Sequence, residues 1–513
     1  MPLPAPGKTA WPPKAMEKAY AGYSELSAWY GGDPDILSKH YGSDSGQYDR
    51  VDTRYRASQF QGGIVGRIAR LFWGTPPSPG ELRTKIHLPM AEDIAQMSAH
   101  LLFGEPPTIT VEDQKTQERL NVLIDEGALH SSLQCGAEVD SAMGDAYLVG
   151  TWDKDNFSAP WLRVVHADAV VPEFRWGRLT AATIWTTLGD QDNGKVWRHL
   201  ERHEKGVILN GLYCGNSTEL GRRCELSERE ETEKLVDEGP TNIDMLTVIH
   251  VPNLLPNRLD RSSPLGRSDF SKGVLQLMDA LDELWSSAAR EFRIAKARVM
   301  ASAEILTPRG RGEGASIDLD REVFTPFRVP PSGNMGDHFH LIQPLIRVEE
   351  HLAGCRAFTD AIINSSGYST QSFGSVTADV AMTATEIQMR ERKTFLTRGS
   401  KTLYWIRIRE ALQMLLAMDR EVFGSKVEVE RPKIEFGDSI AESTSATAQT
   451  LVALAGAEAA STETKVRIVH PEWDDTAVAE EVARIKADTG RAVPDPMALL
   501  TAPGDDQEPP AGI

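Results

Sequence analysis

Cysteine, long apolar runs and positive charge are all scarce in this sequence of 513 residues. The four cysteines are widely scattered and include no CxxC pair, which fits a reducing compartment and provides no metal framework. No apolar run reaches the roughly 18 residues that a membrane-spanning helix needs. The N-terminal MPLPAPGKTAWPPK has no apolar stretch behind its charges, so it is not a secretory signal. We therefore expect a protein that stays in the cytoplasm in which it is made.

Acidic residues outnumber basic residues by 74 to 55, which gives a formal net charge of -19. Such a surplus repels a polyanion on average, so it excludes tight gripping of phosphate but not weak, sliding contact. The mean hydropathy of -0.33 argues against a membrane protein. The chain is also longer than one hydrophobic core normally supports, so we expect at least two packing units.

Short β-rich runs separated by Gly, Asp and Asn turns fill residues 139–258 and predict a mostly antiparallel β unit. Before them, apolar residues at helical spacing in 90–104 precede the alternating TITV, which predicts a helix docked on a sheet. The β-rich runs are AYLVGTW, WLRVV, AATIWTTL, GVILNGLY and MLTVIHV.

Two later segments have apolar residues every three or four positions. The first, residues 263–300, predicts one helix roughly 55 Å long, capped by Ser262 or Ser263. The second, residues 345–366, has the alternating spacing of a helix packed alongside similar helices. We expect these two helices to pair.

A polar stretch, NSSGYSTQSFGSVTADVAMTATEI at 364–387, separates the second helix from a third. Loops of this length inside a compact domain are usually functional or disordered. A Thr-x-x-Glu capping box at its end predicts a third helix that runs to about 422, with a kink at Gly399–Ser400. Residues 426–436 then alternate as a strand.

Several short motifs partly match catalytic or metal-binding patterns. Gly-Lys-Thr at 7–9 has no preceding strand, and His199 and His203 lack a glutamate at the zincin position. The Gly- and Arg-rich 308–314 lacks a following phosphate-binding helix, and the histidines of 338–340 lack partners at ligand spacing. Surface histidines and a charged contact loop explain these motifs better. We expect no metal, no cofactor and no enzymatic activity, with a metal- or nucleotide-dependent hydrolase as the alternative.

Three motifs occur in a recognisable order: DIAQMSAHLLFGEPP before the β unit, PLGRSDF with LMDALDELWSSAAREF at the first long helix, and AMTATEI at the third. This order resembles the portal protein family of tailed double-stranded DNA bacteriophages, siphophage portals in particular. The likeness covers roughly residues 55–490. It implies an α+β fold with a β-rich wing, long stem helices, a small α/β clip, a kinked wing helix and a helical crown, in a ring-forming homo-oligomer.

The resemblance also implies boundaries for these parts. They are a disordered N-terminal tail at 1–15, the wing at 16–261, a stem helix at 262–306, the clip at 307–344, a second stem helix at 345–366, the tunnel loop at 367–382, the kinked wing helix and wing strand at 383–440, the crown at 441–500 and a disordered tail at 501–513.

The function implied by the resemblance is a ring, usually of twelve subunits, at one vertex of the capsid. Double-stranded DNA would pass through it without sequence specificity during packaging and ejection. The implied partners are the terminase large subunit, a head-completion adaptor, and the major capsid and scaffolding proteins. The protein would reside in the virion after assembly in the host cytoplasm.

Specific residues follow from this resemblance. The DNA channel would be lined by the tunnel-loop residues Ser369, Thr370, Gln371, Ser372, Phe373, Ser375 and Thr377, basic rings could be formed by Arg293, Lys296, Arg347 and Arg356, and clip contacts by Arg309, Arg311, Asp318 and Asp320.

Alternatives remain open for each of these assignments. The basic residues could form inter-subunit salt bridges, the clip residues could be solvated, and Phe373 could anchor the loop to the wing. The loop itself could be a mobile linker without DNA contact. For the whole chain, the alternative is another structural head protein, a minor capsid or scaffold-like component without a DNA channel.

Overall fold

The structure is a computed structural model in which two compact units, Met1–Ser439 and Ile440–Ile513, are each described by themselves. Within the described residues, no helix is both long and apolar enough to cross a membrane. The described residues are 3–41, 73, 85–189, 195–270, 272–294, 298–301, 307–308, 315–316, 339–342, 347–374, 384–437, 451–452, 460–470, 473 and 475–490.

Helices occur in both units. They are α1 (Glu17–Gly31), α2 (Pro34–Tyr41), α3 (Met90–Phe103), α4 (Gln114–Glu126), α5 (Leu129–Met143), α6 (Lys272–Ile294), α7 (Val348–Ser366), α8 (Ala384–Trp405), α9 (Ile408–Phe423), α10 (Thr462–Val469) and α11 (Asp475–Gly490).

The strands of the described residues all belong to the first unit. They are β1 (Gly7–Ala10), β2 (Thr108–Thr110), β3 (Asp145–Thr151), β4 (Trp161–His166), β5 (Val170–Arg175), β6 (Arg178–Leu188), β7 (Val196–Glu204), β8 (Val207–Gly215), β9 (Glu219–Cys224), β10 (Glu238–Pro240), β11 (Val248–Pro252), β12 (Arg298–Ala301), β13 (Thr307–Pro308), β14 (Ala315–Ser316), β15 (Phe339–Ile342) and β16 (Lys433–Glu435).

The β unit is built from two sheets. The larger has seven strands in the order β1-β9-β8-β7-β6-β5, with β10 also paired to β8, and the smaller has the order β11-β3-β4. Every one of these pairings is antiparallel, which confirms the predicted antiparallel β unit. The late strand β16 pairs with β2, so residues that are far apart in the sequence share one small sheet.

The N-terminal segment is ordered, so the prediction of a disordered tail at 1–15 is wrong for the described residues. Strand β1 extends the large sheet, and the Trp11 side chain is only 3 % exposed. Its ring packs edge-on against Trp185 at 6.4 Å, and the Tyr213 hydroxyl donates to the Pro4 carbonyl at 2.8 Å. The Pro- and Ala-rich composition predicts that the entropy cost of ordering this segment keeps it disordered. Burial of the large aromatic ring offsets that cost.

The main core lies between the small sheet and α9. Helix α9 is buried on most of its circumference, from Ile408 to Asp419. It packs directly on β3, since a Cβ added to Gly150 would lie 2.4 Å from the Met418 sulfur. A second core joins α1, α2, α3, α6 and α7, with Trp29, Ile94 and Ile362 among its fully buried members.

Helix α6 begins nine residues later than predicted and ends before residue 300. Its expected first turns are not helical because their backbone donors bind groups of the described residues before 262, which are called here the wing. The Gly266 amide donates to the Asp145 carboxylate at 2.8 Å, the Arg267 amide to the Leu254 carbonyl and the Asp269 amide to the Ser141 carbonyl. At the other end the chain forms β12, which pairs with β15.

The predicted third helix is present as α8 and α9, but it breaks at residues 406–407 rather than at Gly399–Ser400. Contacts on either side fix the break. The Trp405 indole donates to Asp140 at 3.1 Å, and the Arg407 guanidinium donates to the His250 carbonyl at 2.8 Å. Tertiary anchoring therefore sets the break, while the glycine remains helical.

The second unit contains α10 packed on α11. Ser461 caps α10 by accepting from the Thr464 amide at 3.2 Å, and Val466 and Val478 are buried. The Trp473 ring stacks on His470 at 3.8 Å. The residues of the predicted tail at 501–513 lie outside the described residues.

The Arg119–Asp419 ion pair generates a stability prediction. Asp419 is fully buried in α9, and the Arg119 guanidinium donates to both of its oxygens at 2.9 and 2.7 Å. We expect Arg119→Ala to lower the free energy of unfolding by about 3–5 kcal/mol, because it leaves a buried charge without a partner. Urea unfolding measures this.

The matched control is the exposed pair Lys205–Asp244. Lys205→Ala should change the unfolding free energy by less than about 1 kcal/mol. Equal effects of the two substitutions would contradict the assignment.

Candidate functional site: the helix pair and the segment that follows it

Helices α6 and α7 form an antiparallel pair, called here the helix pair. Val274 at the start of α6 shares a core with Ile362 near the end of α7, and Glu291 near the end of α6 meets His351 near the start of α7. The two helices approach closely at their middle, where a Cβ on Gly354 would lie 2.9 Å from Leu284. We call the end with Val274 the near end and the end with Glu291 the far end.

At the far end the two helices are joined by polar contacts. The Glu291 carboxylate pairs with the His351 imidazole and accepts from the Arg347 Nε at 3.4 Å. The hydrogen bond with His351 lowers the pKa of Glu291 below its ordinary value. The far end is therefore fixed by charge rather than by a core.

Towards the near end α6 is fixed to the wing by a buried carboxylate. Asp282 accepts from the Trp73 indole at 3.0 Å and from the Leu88 amide at 2.9 Å, and pairs with His87 at 2.7 Å. Three partners satisfy the charged group, so its burial is tolerated. The helix pair thus rests on the wing along its near half.

The far half of the helix pair exposes large apolar side chains. Phe292 is 49 % exposed and Leu352 is 39 % exposed, with Val348 similar. Along the near half, Leu281 and Ile362 are almost fully buried. The apolar residues of both helices therefore continue beyond the part that this chain covers by itself.

Of the four residues predicted for basic rings, Arg293 and Arg356 lie on this pair and Arg347 immediately precedes α7. Arg347 is exposed and close to Glu291, and Arg356 is exposed on α7. Arg293 lies within α6, and Lys296 lies outside the described residues. The predicted clip contacts Arg309, Arg311, Asp318 and Asp320 also lie outside the described residues.

The predicted tunnel loop begins with an ordered turn. Helix α7 ends at Ser366, and Gly367 adopts the left-handed region at φ +102°, which favours glycine. A short 3₁₀ helix follows at Thr370–Phe373, and the Ser369 side chain caps it by accepting from the Gln371 amide at 3.4 Å.

Hydroxyl groups of α8 hold this turn in place. Thr394 accepts from the Ser369 amide at 2.9 Å and contacts the Ser372 hydroxyl at 2.9 Å. One turn further along α8, Thr397 donates to the Gly367 carbonyl at 2.5 Å. The first part of the expected loop is therefore fixed structure, because two threonines three residues apart on α8 meet its polar groups.

The seven predicted channel residues differ in exposure. Ser369 is buried, whereas Thr370, Gln371 and Ser372 are half-buried. Phe373 packs edge-on against the buried Tyr368 at 6.2 Å, which favours its role as an anchor. Ser375 and Thr377 lie outside the described residues.

Beneath the turn lies a buried polar cluster centred on Asp269, called here the Asp269 cluster. One carboxylate oxygen of Asp269 accepts from Lys401 at 2.6 Å and from Tyr368 at 2.7 Å. The members of the cluster are Ser98 of α3, Ser141 of α5, Asn253, Asp269, Tyr368 and Lys401 of α8.

The Asp269 cluster carries its negative charge on Asp269. Burial would raise the pKa of this carboxyl, but the Lys401 ammonium and its hydrogen bonds hold it below its ordinary value. Burial and the charge of Asp269 raise the pKa of Tyr368 well above its ordinary value. For the neighbouring Asp140, burial outweighs the attraction of Lys401 and raises its pKa well above the ordinary value.

A second buried carboxylate, Asp145, stands beside this cluster. It pairs with His250 at 2.6 Å and accepts from the Tyr23 hydroxyl at 3.2 Å, in addition to the Gly266 amide. The segment before α6 is thus anchored to the wing at both Asp145 and Asp269.

Sequence reasoning missed both buried clusters. The available signal was a set of isolated charges beside apolar runs, such as Asp145 before AYLV and Lys401 before TLYW. Their partners are more than a hundred residues away along the chain, so spacing could not pair them. Among the described residues, no group of His, Cys, Asp or Glu could hold a metal ion.

The Asp269–Lys401 pair generates a pH-dependent prediction. Because the pKa of Asp269 is depressed, its contribution to stability is complete above the ordinary carboxyl pKa and is lost as the pH falls through the folded-state pKa. Lys401→Met should cost about 3–5 kcal/mol of unfolding free energy at neutral pH. That cost should shrink on acidification towards about pH 4, since protonation then neutralises the unpaired carboxylate.

Urea unfolding at several pH values measures this, with Tyr368→Phe as the control. That substitution removes one hydrogen bond to the charged carboxylate but leaves the ion pair, so it should cost about 1.5–3 kcal/mol, with little dependence on pH. A cost of Lys401→Met that stays constant with pH would contradict the assigned ion pair.

No family model matches this chain, and no curated protein is significantly similar to it. Among solved structures, a chain of the virion of the native gene transfer agent particle is similar with 13 % identity and a TM-score of 0.43, over 79 % of this chain and 99 % of that chain. Chains of the neck of the native particle, computed with C12 symmetry, and of the empty particle, computed with C6 symmetry, each show 11 % identity and a TM-score of 0.38, over 74 % of this chain and 88 % of theirs.

Proposed function

We propose that this chain is a phage-type portal protein, which forms a ring of about twelve copies around a DNA channel at one capsid vertex. The observation that carries the proposal is the order of the elements along the chain. An antiparallel helix pair has an insertion at its far end, and the pair is followed by a fixed turn and a broken helix against the wing. The three motifs that resemble portals lie on α3, at α6 and at the start of α8.

The insertion between the paired helices supports a clip. Strands β12 and β15 pair directly beyond the far end, in register from Arg298 with Ile342 to Ala301 with Phe339. The intervening chain therefore leaves and returns at one place. We assign this far end to contact with terminase during packaging and with the head-completion adaptor afterwards.

The exposed apolar residues support a ring. Phe292, Val348 and Leu352 at the far half of the helix pair, and Leu396 and Leu403 on α8, are all exposed. Large apolar groups gain about 1.5–3 kcal/mol each on full burial, so several together favour association. A ring of identical copies would bury them on neighbouring subunits.

The charge and the turn support a channel that does not grip its cargo. A net charge of -19 disfavours persistent phosphate contacts. The turn at Thr370–Phe373 is uncharged and fixed to α8, so it can touch a sliding duplex without an ion pair.

We assign no catalytic step to this chain and leave ATP hydrolysis to terminase. Its place would be the virion, reached from the host cytoplasm with the major capsid and scaffolding proteins.

The mass of the assembled protein tests the proposed ring. The purified chain should give a closed oligomer of about twelve copies in native mass spectrometry, because the exposed apolar groups of each copy need a neighbour. The mass should remain one discrete multiple when the concentration is raised. Monomers alone at every concentration would contradict the proposal.

Substitutions of Gln371, a half-buried residue of the fixed turn, test whether this turn lines the channel. Gln371→Arg adds one positive charge per copy and should slow DNA packaging without changing the oligomer mass, since each phosphate would be held more tightly. Gln371→Ser is the uncharged control and should package normally. Equal packaging by both variants would show that this turn does not line the channel.

A further inference from the structure

We infer that neighbouring copies meet through two different helix rows, an exposed leucine row on α8 of one copy and an exposed small-residue row on α7 of the next. This inference rests on the proposed ring and names the surfaces that build it. The leucine row comprises Arg392, Leu396, Gly399 and Leu403, and the small-residue row comprises Ala353, Ala357, Asp360 and Asn364.

The leucine row is an unpartnered face of α8. Leu396 is 63 % exposed and Leu403 is 73 % exposed, although both are large apolar groups. The opposite side of the helix is buried, with Thr394 and Lys401 bound to the turn and to the Asp269 cluster. The chain therefore uses one side of α8 for itself and leaves an apolar side available.

The two rows match in spacing and in size. Each places four exposed residues at intervals of four, three and four, the repeat with which packed helices interlock. Two leucines project from one row, while the other offers two alanines. Large side chains of one helix can therefore fit between small side chains of the other.

The two rows also match in charge. The charged member of the leucine row is Arg392, with exposed Lys393 beside it, and the charged member of the small-residue row is Asp360. Opposite charges at the edge of an apolar contact set its orientation more than its strength. They favour the leucine row of one copy against the small-residue row of another, and disfavour two leucine rows together.

The start of the leucine row lies beside the end of the small-residue row within one copy. Lys393 donates to the Asn364 carbonyl, and Thr397 donates to the Gly367 carbonyl, so the first half of the leucine row is level with the last turns of α7. Copies in a closed ring are related by rotation without a rise, so surfaces that meet share one level. A second copy of this chain is therefore the partner that fits both rows.

Cross-linking tests this arrangement in the full chain. In a background with Cys135→Ser and Cys214→Ser, which removes the exposed and the half-buried cysteine, Ser400→Cys beside the leucine row is combined with Ala357→Cys in the small-residue row. A short bis-maleimide reagent should then link the double variant into dimers, trimers and higher species on a denaturing gel, because each copy carries both rows. Each single variant should remain monomeric.

Two outcomes would overturn this inference and leave the proposed function intact. One is a double variant that forms the discrete oligomer in native mass spectrometry but yields no ladder. The other is a single variant that cross-links into dimers, since like rows would then meet. Absence of the oligomer in the unmodified chain would instead overturn the proposed function, and the inference with it.

A charge exchange provides a second readout. Arg392→Glu should raise the concentration at which half the chains assemble by roughly tenfold, and Asp360→Arg in the same chain should restore assembly. Leu403→Asp should also weaken assembly by at least that factor. Val236→Asp, at a residue 61 % exposed in the β unit, is the matched control and should assemble normally. Equal behaviour of Leu403→Asp and Val236→Asp would overturn the inference.

Discussion

The buried ion pair between Asp269 and Lys401 is the interaction on which the rest of the arrangement depends. Through hydrogen bonds it joins α3, α5, the segment before α6, the turn after α7 and α8 at one carboxylate. A buried charge tolerates no loss of its partners, so the relative positions of these elements are tightly specified. The helix pair and the turn that follows it are consequently held against a rigid wing.

Because these elements are fixed in place, some apolar side chains of the helix pair and of α8 remain exposed. A helix pair that rests on the wing along its near half must expose Phe292 and Leu352 along its far half. A helix whose inner side is occupied by the Asp269 cluster must expose Leu396 and Leu403 on its outer side. In the proposed ring, identical copies would cover these residues, because each copy would bring the complementary row and a closed ring has no exposed end.

Local sequence patterns predict the elements that are stabilised by local interactions. They do not predict features whose positions are determined by contacts with residues far away in the sequence. The β-rich runs and the paired helices follow from local patterns, because period and turn chemistry act over a few residues. Of the strand predicted at 426–436, only residues 433–435 form a strand. Local patterns do not predict the burial of Trp11, the first residue of α6 or the break after Trp405. Their positions depend on Trp185, Asp145 and Asp140, which lie far away in sequence. For the same reason the Asp269 cluster was missed, although lone charges such as Lys401 marked its members.

The proposed function requires that copies of this chain surround an open channel. Class-averaged top views of the purified oligomer by cryo-electron microscopy test it most directly, because they show the number of subunits and the axis together. We expect a closed ring of about twelve copies with an axial hole wide enough for a DNA duplex. A closed particle without an axial hole would contradict it and would favour a structural head protein that has no channel.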